Sequence, residues 1–180
     1  MTKINLFDKS FVPFIPNEKI ENAIDNVAEK INLKHTDDSS PLILLCVLKG
    51  SLMFTGELMK RLNFPCELRC IKLSSYEGTE SCGEIHQDME LEGSIEGRNV
   101  LVVEDIIDTG TTIRFLEKLL KEKGAANIEI CTMLLKPESY KDNIKIDYIA
   151  MEIPNRFIVG FGLDYDQLGR NLKDIYVLDE

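Results

Sequence analysis

The stretch VLVVEDIIDTGTT, residues 100–112, places an apolar run directly before three carboxylates and a threonine-rich turn. The apolar run predicts a buried strand, and residues 112–123 predict a helix with Gly124 just past its C-terminus. In an open α/β sheet, ligands bind beyond the carboxyl ends of the strands. The sequence therefore predicts a ligand site built around the three acids, Glu104, Asp105 and Asp108.

The turn TGTT, residues 109–112, is suited to a phosphate group. Backbone N–H groups, threonine hydroxyls and the positive end of the helix dipole favour an anion there, and Gly110 lets the backbone approach closely. Because carboxylates repel phosphate, acids beside such a turn are expected to bind hydroxyls, hold a cation or move a proton. The chain contains neither GxxxxGK[ST] nor GxGxxG, the motifs of triphosphate and dinucleotide sites. A phosphorylated ligand with hydroxyl groups is indicated; the alternative is a strand that simply ends in solvated acids.

Strand and helix patterns alternate around this stretch. Helices are predicted at 17–31, with Asn17 as the N-cap, at 51–63 and at 112–123. Strands are predicted at 42–48, 66–73, 99–103, 128–135, 147–152, 157–161 and 174–180. The alternation predicts an α/β fold with a mainly parallel central sheet flanked by helices, and a length of 180 residues suits one domain.

The composition argues against two classes of partner. The chain has 21 basic and 31 acidic residues and a net charge of -10, so nonspecific attraction to nucleic acid or to anionic membranes should be weak. No apolar run approaches the roughly 20 residues that cross a bilayer, and the first ten residues lack the layout of a secretion signal. We expect a cytoplasmic protein with reduced cysteines. A zinc site is an alternative, although its spacing matches no common pattern; its ligands would be Cys66, Cys70, Cys82 and His86.

The polar segment 74–98 is long for a plain connection. Segments of this length in compact domains are often lids, binding loops or small hairpins. A mobile surface hairpin without a function is the alternative.

Five segments resemble one known family. The stretch VEDIIDTGTT resembles the phosphoribosyl diphosphate (PRPP) binding motif of the type I phosphoribosyltransferases. The segments VLKGS, SSY, LLKPE and EIPNRFIVGFGLDYDQLGR resemble the hypoxanthine-guanine branch, in that family's order, at residues 47–51, 74–76, 134–138 and 152–170. The resemblance covers residues 10–180. It implies one type I phosphoribosyltransferase domain, residues 1–180, with a flexible lid loop at 74–98 and a small hood made by 152–180 with the N-terminal residues.

The resemblance implies a pentosyltransferase of purine salvage. In this family the 5-phosphoribosyl group moves from PRPP to hypoxanthine, and also to guanine, giving IMP or GMP and pyrophosphate with the help of Mg2+. The ribose gains positive charge as pyrophosphate leaves, and carboxylates under the ring stabilise that charge. By resemblance, Glu104 and Asp105 hold the ribose hydroxyls and the metal. Asp108 is then the candidate general base, which accepts the proton of one imidazole nitrogen while the other attacks.

The phosphate contacts follow from the same resemblance. The 5'-phosphate lies on Asp108 and on the turn formed by Thr109, Gly110, Thr111 and Thr112. Many relatives carry Lys where Thr111 stands, so this chain lacks one positive charge there. Pyrophosphate is expected on Lys49, Gly50 and Arg170. Family structures show a cis peptide before a non-proline residue in the VLKGS loop, and the sequence leaves open whether the Lys49–Gly50 peptide is the cis one.

The purine contacts complete the expected site. Lys136 donates to the six-position oxygen, which selects oxo purines over adenine. Phe157 stacks on the base, the Ile158 backbone meets its edge, and Asp164 is a further contact to Mg2+ near the purine and pyrophosphate. Ser75 and Tyr76 belong to the lid. Taken singly, each lysine and the arginine would pass for a surface residue, and Phe157 for a core residue.

Two other functions are alternatives. Some proteins that resemble phosphoribosyltransferases are RNA-binding regulators, but these need a basic surface, which a net charge of -10 does not favour. An enzyme of the same chemistry that uses xanthine is the second, and preference between hypoxanthine and guanine is also open. The family forms homodimers or homotetramers, so one of these is expected.

Overall fold

The computed structural model describes residues 2–75 and 85–179, without the side chains of residues 75 and 86. Within them, a six-stranded sheet has the order β5-β4-β3-β6-β7-β8. Its strands are β3 (Leu42–Leu48), β4 (Cys66–Ser75), β5 (Ile85–Met89), β6 (Asn99–Ile107), β7 (Asn127–Leu135) and β8 (Tyr148–Glu152). All neighbouring pairs are parallel except β4 with β5. The predicted α/β fold with a mainly parallel central sheet is confirmed.

Helices cover both faces of this sheet. They are α1 (Asn17–His35), α2 (Leu52–Met59) and α3 (Thr111–Glu122). Leu42 and Leu44 of β3 pack in one core with α1 and α2, whereas Ile43 and Leu45 pack in a second core with α3. A central strand covered on both faces has to be apolar throughout, which explains the unbroken run LILLCVL.

A second, smaller sheet joins the two ends of the chain. It is antiparallel in the order β1-β2-β10-β9, with β1 (Ile4–Leu6), β2 (Lys9–Ile15), β9 (Ile158–Val159) and β10 (Ile175–Leu178). The sequence patterns predicted no strand within residues 4–15. Pro13 lowers the strand signal there, and it pairs with Tyr176 beside an irregularity in the β2–β10 register. The small sheet thus joins residues from the two segments in which a hood was expected.

Several element boundaries differ from the prediction. Strand β6 continues to Ile107 instead of ending at Val103, because it stays paired with β7 beyond the apolar run. The predicted strand 157–161 contains only two strand residues, Ile158–Val159. Helix α1 begins at Asn17, so the N-cap is Pro16 and not Asn17; Asn17 N instead donates to Asp174 Oδ1 at 2.7 Å. Gly124 has a φ of +79° just past α3, as predicted.

The segment 74–98 is partly regular. Strand β4 runs on to Ser75 and pairs with β5, Ile85–Met89, so the ends of the segment form a hairpin. Tyr76 and Cys82 lie outside the described residues, as does the side chain of His86. Among the residues that the structure describes, no helix combines the length and the apolar character that a membrane crossing requires.

Candidate active site

Three loops meet where the central parallel strands end. Strands β3, β6 and β7 are neighbours in the sheet, and the segments that follow them begin with Lys49, Asp108 and Lys136. Because parallel strands end at the same edge, three segments that are far apart in sequence converge there. The predicted position of the ligand site is therefore the edge at which the three segments meet.

The phosphate turn, residues 109–112, begins helix α3. Gly110 is the N-cap in the left-handed conformation, with a φ of 89° that disfavours residues with a Cβ. The first N–H groups of a helix have no partner within it, so they are available to an anion. Thr109 Oγ1 lies 3.0 Å from Thr111 Oγ1. A cavity of about 100 Å³ is lined by Glu104 and by residues 106–113, which include this turn.

Lys136 and Asp108 form an ion pair directly after the ends of β7 and β6. Lys136 Nζ donates to Asp108 Oδ2 at 2.9 Å, and Lys136 N donates to Ile107 O at 2.9 Å. The Lys136 side chain is only 11% exposed, against 43% for Asp108. Lys136 is thus not an ordinary surface lysine. Its ammonium group is held in the cleft by the candidate general base.

Glu104 is a buried carboxylate whose second oxygen is unpartnered. The residue is 8% exposed, and Oε2 has no hydrogen-bond partner among the described residues. Burial, with a further contribution from the charge of Asp105, raises the pKa of Glu104 well above its usual value. A buried acceptor without a partner is costly, so such a group points to a ligand hydroxyl or cation that satisfies it.

Asp105 is also destabilised in its charged form. Burial raises the pKa of Asp105 from 3.8 to about 6, although the Ile106 N–H, 2.7 Å from Oδ1, and the charge of Arg170 act in the opposite direction. A positive group or hydroxyl at this position would lower that pKa again. Both adjacent acids are therefore prepared for a ligand that carries hydroxyls or a cation.

The VLKGS loop lies directly on Asp105. A Cβ added to Gly50 would fall 1.4 Å from Asp105 Oδ2, and a Cβ added to Gly162 would fall 2.0 Å from Gly50 O. Gly50 therefore packs on Asp105, and Gly162 packs on Gly50, at distances that leave no room for a Cβ at either glycine. The cis peptide is Leu48–Lys49, one residue before the Lys49–Gly50 peptide at which the sequence left the question open.

The residues expected at pyrophosphate and at a further metal contact are linked to one another. Arg170 Nη2 is 2.5 Å from Asp164 Oδ1, and Arg170 Nη1 donates to Gly162 O at 2.8 Å. Asp164 Oδ2 accepts from Gln167 N, and Lys49 Nζ donates to Gln167 Oε1 at 3.2 Å. Arg170, Asp164 and Lys49 are therefore grouped, and Arg170 is a partly buried residue.

Phe157 is an exposed aromatic residue directly before β9. It is 45% exposed and meets the Tyr165 ring edge-on at 5.9 Å, so the alternative of a core role is wrong. Ile158 follows it in β9 and is 6% exposed. A wider cleft of about 520 Å³ borders Asp108 and is lined by Asp108, Thr109, Glu138, Ser139, Lys141 and Asn155.

The donor set suits a metal ion that is shared with a ligand. Within residues 2–75 and 85–179, no group of three or more His, Cys, Asp or Glu side chains is arranged to hold a metal alone. Mg2+ is usually bound by one or two carboxylates together with water and substrate phosphates. The unpartnered oxygen of Glu104, next to Asp105, fits that mode of binding.

Sequence reasoning missed some residues that shape this site. Gly162 and Gln167 fix the VLKGS loop and Lys49, while Tyr140 and Asp142 pack against Gly110. Gly162 and Gln167 lie within the quoted segment 152–170, but no role was assigned to them there, and Tyr140 and Asp142 lie in none of the quoted segments. Their roles depend on contacts across the sheet edge, which the order of residues in one sequence does not reveal. Of the two lid residues, the Ser75 backbone ends β4, and Tyr76 is outside the described residues.

Comparisons with known proteins bear on the same segments. The profile of the phosphoribosyl transferase domain matches residues 15–166. A hypoxanthine-guanine phosphoribosyltransferase of Staphylococcus aureus strain Mu50 is 40% identical over 161 residues, 88% of this chain and 90% of that protein. A crystal structure of a Staphylococcus aureus hypoxanthine phosphoribosyltransferase has a TM-score of 0.86 and 37% identity over 93% of this chain and 91% of its own. A structure of the Trypanosoma cruzi hypoxanthine phosphoribosyl transferase has a TM-score of 0.88 and 34% identity, over 98% of this chain and 95% of its own.

The matched range, residues 15–166, contains the loops that follow β3, β6 and β7 and form the cleft, and it extends past Asp164. The similarity therefore extends to the segments that carry Lys49, Glu104 and Lys136, and it is not confined to the sheet. Identity of 40% along most of both chains goes well beyond a shared fold. The chain belongs to the phosphoribosyl transferase domain family and, within it, to the hypoxanthine-guanine branch.

Proposed function

We propose that the protein transfers the 5-phosphoribosyl group from PRPP to hypoxanthine, and also to guanine, and releases pyrophosphate. The observation that carries this proposal is the Lys136–Asp108 pair, 2.9 Å from Nζ to Oδ2, next to the phosphate turn. The relatives that share these segments are named as hypoxanthine-guanine phosphoribosyltransferases. The reaction belongs to purine salvage, and we assign it to the cytoplasm.

The Lys136–Asp108 pair matches one edge of an oxo purine. Lys136 is a donor and Asp108 an acceptor, and hypoxanthine presents an oxygen at position six beside an imidazole N–H. Lys136 would donate to the oxygen, while Asp108 accepts the imidazole proton as the other imidazole nitrogen attacks the ribose. Adenine offers an amino donor at position six, so Lys136 would lose its partner in the cleft. An unsatisfied buried donor costs roughly 1–3 kcal/mol, which selects against adenine.

Glu104 and Asp105 are assigned to the ribose. Their carboxylates accept hydrogen bonds from the two ring hydroxyls and lie close to the carbon that gains positive charge. Hydroxyl donors lower the raised pKa of each acid, so that both are ionised when the ligand is bound. Mg2+, when bound by these residues and the ligand, would supply positive charge that offsets the leaving pyrophosphate. Asp164, which neighbours this pair, is assigned as a further metal contact.

The 5'-phosphate and the pyrophosphate group of PRPP are assigned to opposite sides of the acids. The 5'-phosphate binds the N–H groups and hydroxyls of the turn 109–112. Pyrophosphate binds Lys49, the Gly50 backbone and Arg170, whose guanidinium is already oriented by Asp164 and the Gly162 carbonyl. Phe157 stacks on the base, and Ser75 and Tyr76 belong to the lid that excludes water.

The protein is also proposed to form a homodimer or homotetramer. Leu52 and Met53, in the first turn of α2, are 56% and 38% exposed directly after the VLKGS loop. Exposed apolar side chains next to a ligand loop are suited to an interface between copies. Light scattering during gel filtration measures the mass, and a monomer of 20.5 kDa would contradict this assignment.

The direct test offers one base at a time. The protein is incubated with Mg2+, PRPP and hypoxanthine, guanine, xanthine, adenine or uracil, and nucleotide and pyrophosphate are both quantified. With hypoxanthine or guanine, nucleotide and pyrophosphate should form in equal amounts. Adenine should be used roughly 5–150-fold less efficiently, as a loss of about 1–3 kcal/mol implies, and uracil, which has no imidazole ring, should give no nucleotide. Efficient use of adenine would contradict the role of Lys136, and the result with xanthine defines the breadth of base selection.

Variants of the ion pair test the assigned roles. Asp108→Asn should lower kcat at least tenfold and leave KM for PRPP within twofold, because the amide does not accept the imidazole proton. Lys136→Ala should reduce kcat/KM for hypoxanthine without a matching change for PRPP. Lys145→Ala, 82% exposed and paired with Asp147 toward the opposite end of the sheet, is the control for a lysine outside the cleft and should change neither. An unchanged kcat in Asp108→Asn would exclude Asp108 as the base.

A further inference from the structure

The segment that follows β7, residues 136–144, contacts the phosphate turn at a second place. A Cβ added to Gly110 would lie 2.7 Å from Tyr140 Cε2 and 3.1 Å from Asp142 Cβ. Arg114, in the first turns of α3, donates to Asp142 Oδ2 from Nε at 2.9 Å and lies 2.7 Å from the same oxygen at Nη2. The 136–144 segment is therefore packed on the turn and paired with the helix that the turn begins.

Internal hydrogen bonds make this segment a rigid connection to Lys136. Tyr140 N and Ser139 N both donate to Lys136 O, and Tyr140 Oη donates to Ile144 O at 2.6 Å. Asp142 Oδ1 accepts from Asn143 N at 2.8 Å. At the other end, Lys136 is held by Ile107 O and by Asp108. The contacts thus form a closed ring from Asp108 through Lys136, Tyr140, Asp142 and Arg114 back to Gly110.

We propose that Asp142 and Arg114 are positioning residues that set the distance between the phosphate turn and Lys136. This inference rests on the proposed function, in which the turn holds the 5'-phosphate and Lys136 reads the purine. A nucleotide has a fixed length, so both of its ends bind well only when the two subsites are at the matching separation. Small misplacements of reacting groups are expensive in rate because the reaction needs a narrow range of geometries.

The solvent exposure of the Arg114–Asp142 ion pair explains why it affects the spacing of the two subsites more than the stability of the fold. Asp142 is 12% exposed at its side chain, whereas Arg114 is 65% exposed. An ion pair open to water on one side contributes little to stability. Its two donors on one oxygen still restrict where the 136–144 segment lies against α3. Loss of the pair should therefore leave the fold in place and widen the range of distances between the two subsites.

The experiment compares one ligand that spans both subsites with two that do not. Dissociation constants of inosine monophosphate, ribose 5-phosphate and hypoxanthine are measured for the wild type, Asp142→Asn and Arg114→Ala. Asp142→Asn keeps the volume of the buried side chain and removes its charge. Inosine monophosphate should bind about three- to fivefold more weakly to both variants, because a pair worth up to about 1 kcal/mol cannot change the affinity by more, and each fragment should change less than twofold. A structural defect within one subsite would weaken the corresponding fragment as well.

Two further variants complete the design. Lys118→Ala removes an ion pair with Glu122 that lies on the exposed side of the same helix, and it should leave all three affinities unchanged. The exchange Arg114→Asp with Asp142→Arg should recover a large part of the inosine monophosphate affinity. If the affinities for the nucleotide and for both fragments fell equally, or if none fell, this inference would be overturned but the proposed function would not. A wild type that does not bind inosine monophosphate would overturn the proposed function and this inference with it.

Discussion

Two buried glutamates, at opposite ends of neighbouring strands, have opposite surroundings. Glu129, near the start of β7, is 3% exposed and meets Lys34 at 2.9 Å, Tyr148 Oη at 2.8 Å and Asn127 Nδ2 at 2.7 Å. His35 Nε2 lies 3.3 Å from its Oε1. Glu104, in the last part of β6, is 8% exposed and keeps Oε2 without a partner among the described residues. The first carboxylate is satisfied within the chain, and the second is not.

The pKa values reflect this difference. Burial alone would raise the pKa of Glu129, but the hydrogen bonds from Lys34 and Tyr148 and the charges of His35 and Lys34 bring it below the usual value. Burial raises the pKa of Glu104, and the neighbouring Asp105 adds to the rise. A buried acid with a full set of partners stabilises the fold. A buried acid that lacks one is explained by a ligand that it serves.

The largest expected effect is on stability at the Glu129 end. Glu129→Ala leaves His35 and Tyr148 without their buried partner and should lower the free energy of unfolding by about 3–5 kcal/mol. Urea denaturation followed by circular dichroism measures this change. The kcat of the folded fraction should stay within twofold, because Glu129 lies at the end of the sheet away from the cleft.

Glu67 provides the matched control for that variant. It pairs with Arg69 and Arg98, as Glu129 pairs with Lys34, but its side chain is 39% exposed. Glu67→Ala should therefore cost no more than about 1 kcal/mol. Equal losses for the two variants would mean that burial does not distinguish these carboxylates, and the comparison would fail.

The two ends also differ in how far the sequence predicted them. The acids at the end of β6 stand in one continuous motif, so the order of residues 104–112 was enough to indicate a ligand site. The partners of Glu129 come from α1, β7 and β8, with Lys34 and Tyr148 more than a hundred residues apart, and no local pattern connects them. A site whose residues are consecutive can be predicted from the sequence, whereas a hydrogen-bond network between distant segments cannot.

The same distinction holds for the fold. The apolar run of β3 and the helical spacing of α1 predicted buried elements, because each pattern reflects one local geometry. Strand β2 was missed because Pro13 weakens its local pattern and because one of its two partner strands, β10, lies at the far end of the chain. Lys136 and Phe157 were assigned by resemblance. Only the structure shows that Lys136 is a largely buried lysine and not a surface one, and that Phe157 is an exposed ring and not a core one.

The next effect in size is a pH dependence of opposite sign at the two ends. The pKa of Asp105 is raised from 3.8 to about 6 in the folded chain, so its neutral form stabilises the fold at low pH and this contribution is lost as the pH rises to about 6. A change of one in pKa corresponds to about 1.4 kcal/mol. Asp105→Asn, which stays neutral, should therefore be more stable than the wild type by about 1–3 kcal/mol at pH 7 and nearly equal to it near pH 4.

Glu129→Gln is the opposite test. The lowered pKa of Glu129 means that its charged form stabilises the fold above about pH 4.5 and that this contribution is lost as the pH falls. The variant should be less stable than the wild type at pH 7, with a difference that shrinks toward pH 4. Denaturant titrations at four or five pH values measure both differences. Slopes of the same sign would contradict the contrast between a ligand-serving acid and a structural one.

The smallest expected effect concerns charge in the phosphate turn. Lys34 neutralises Glu129 at one end of the sheet, whereas the phosphate turn, residues 109–112, has no basic side chain. Thr111→Lys would add a positive charge beside the helix N-terminus and the cavity that Glu104 lines, where the 5'-phosphate is proposed to bind. We expect KM for PRPP to fall about 3–10-fold, roughly 1 kcal/mol, with less than a twofold change in KM for hypoxanthine.

Asn127→Lys separates local from overall charge in this test. It adds the same charge at the opposite end of the sheet, beside Glu129, to which Asn127 already donates at 2.7 Å. Long-range attraction falls off beyond about 8–10 Å at physiological salt, so this variant should leave KM for PRPP unchanged. If both lysines lowered KM equally, the effect would come from the net charge of -10 and not from the phosphate turn. A decrease confined to Thr111→Lys would mean that the turn binds phosphate through amides and hydroxyls with room for a further charge.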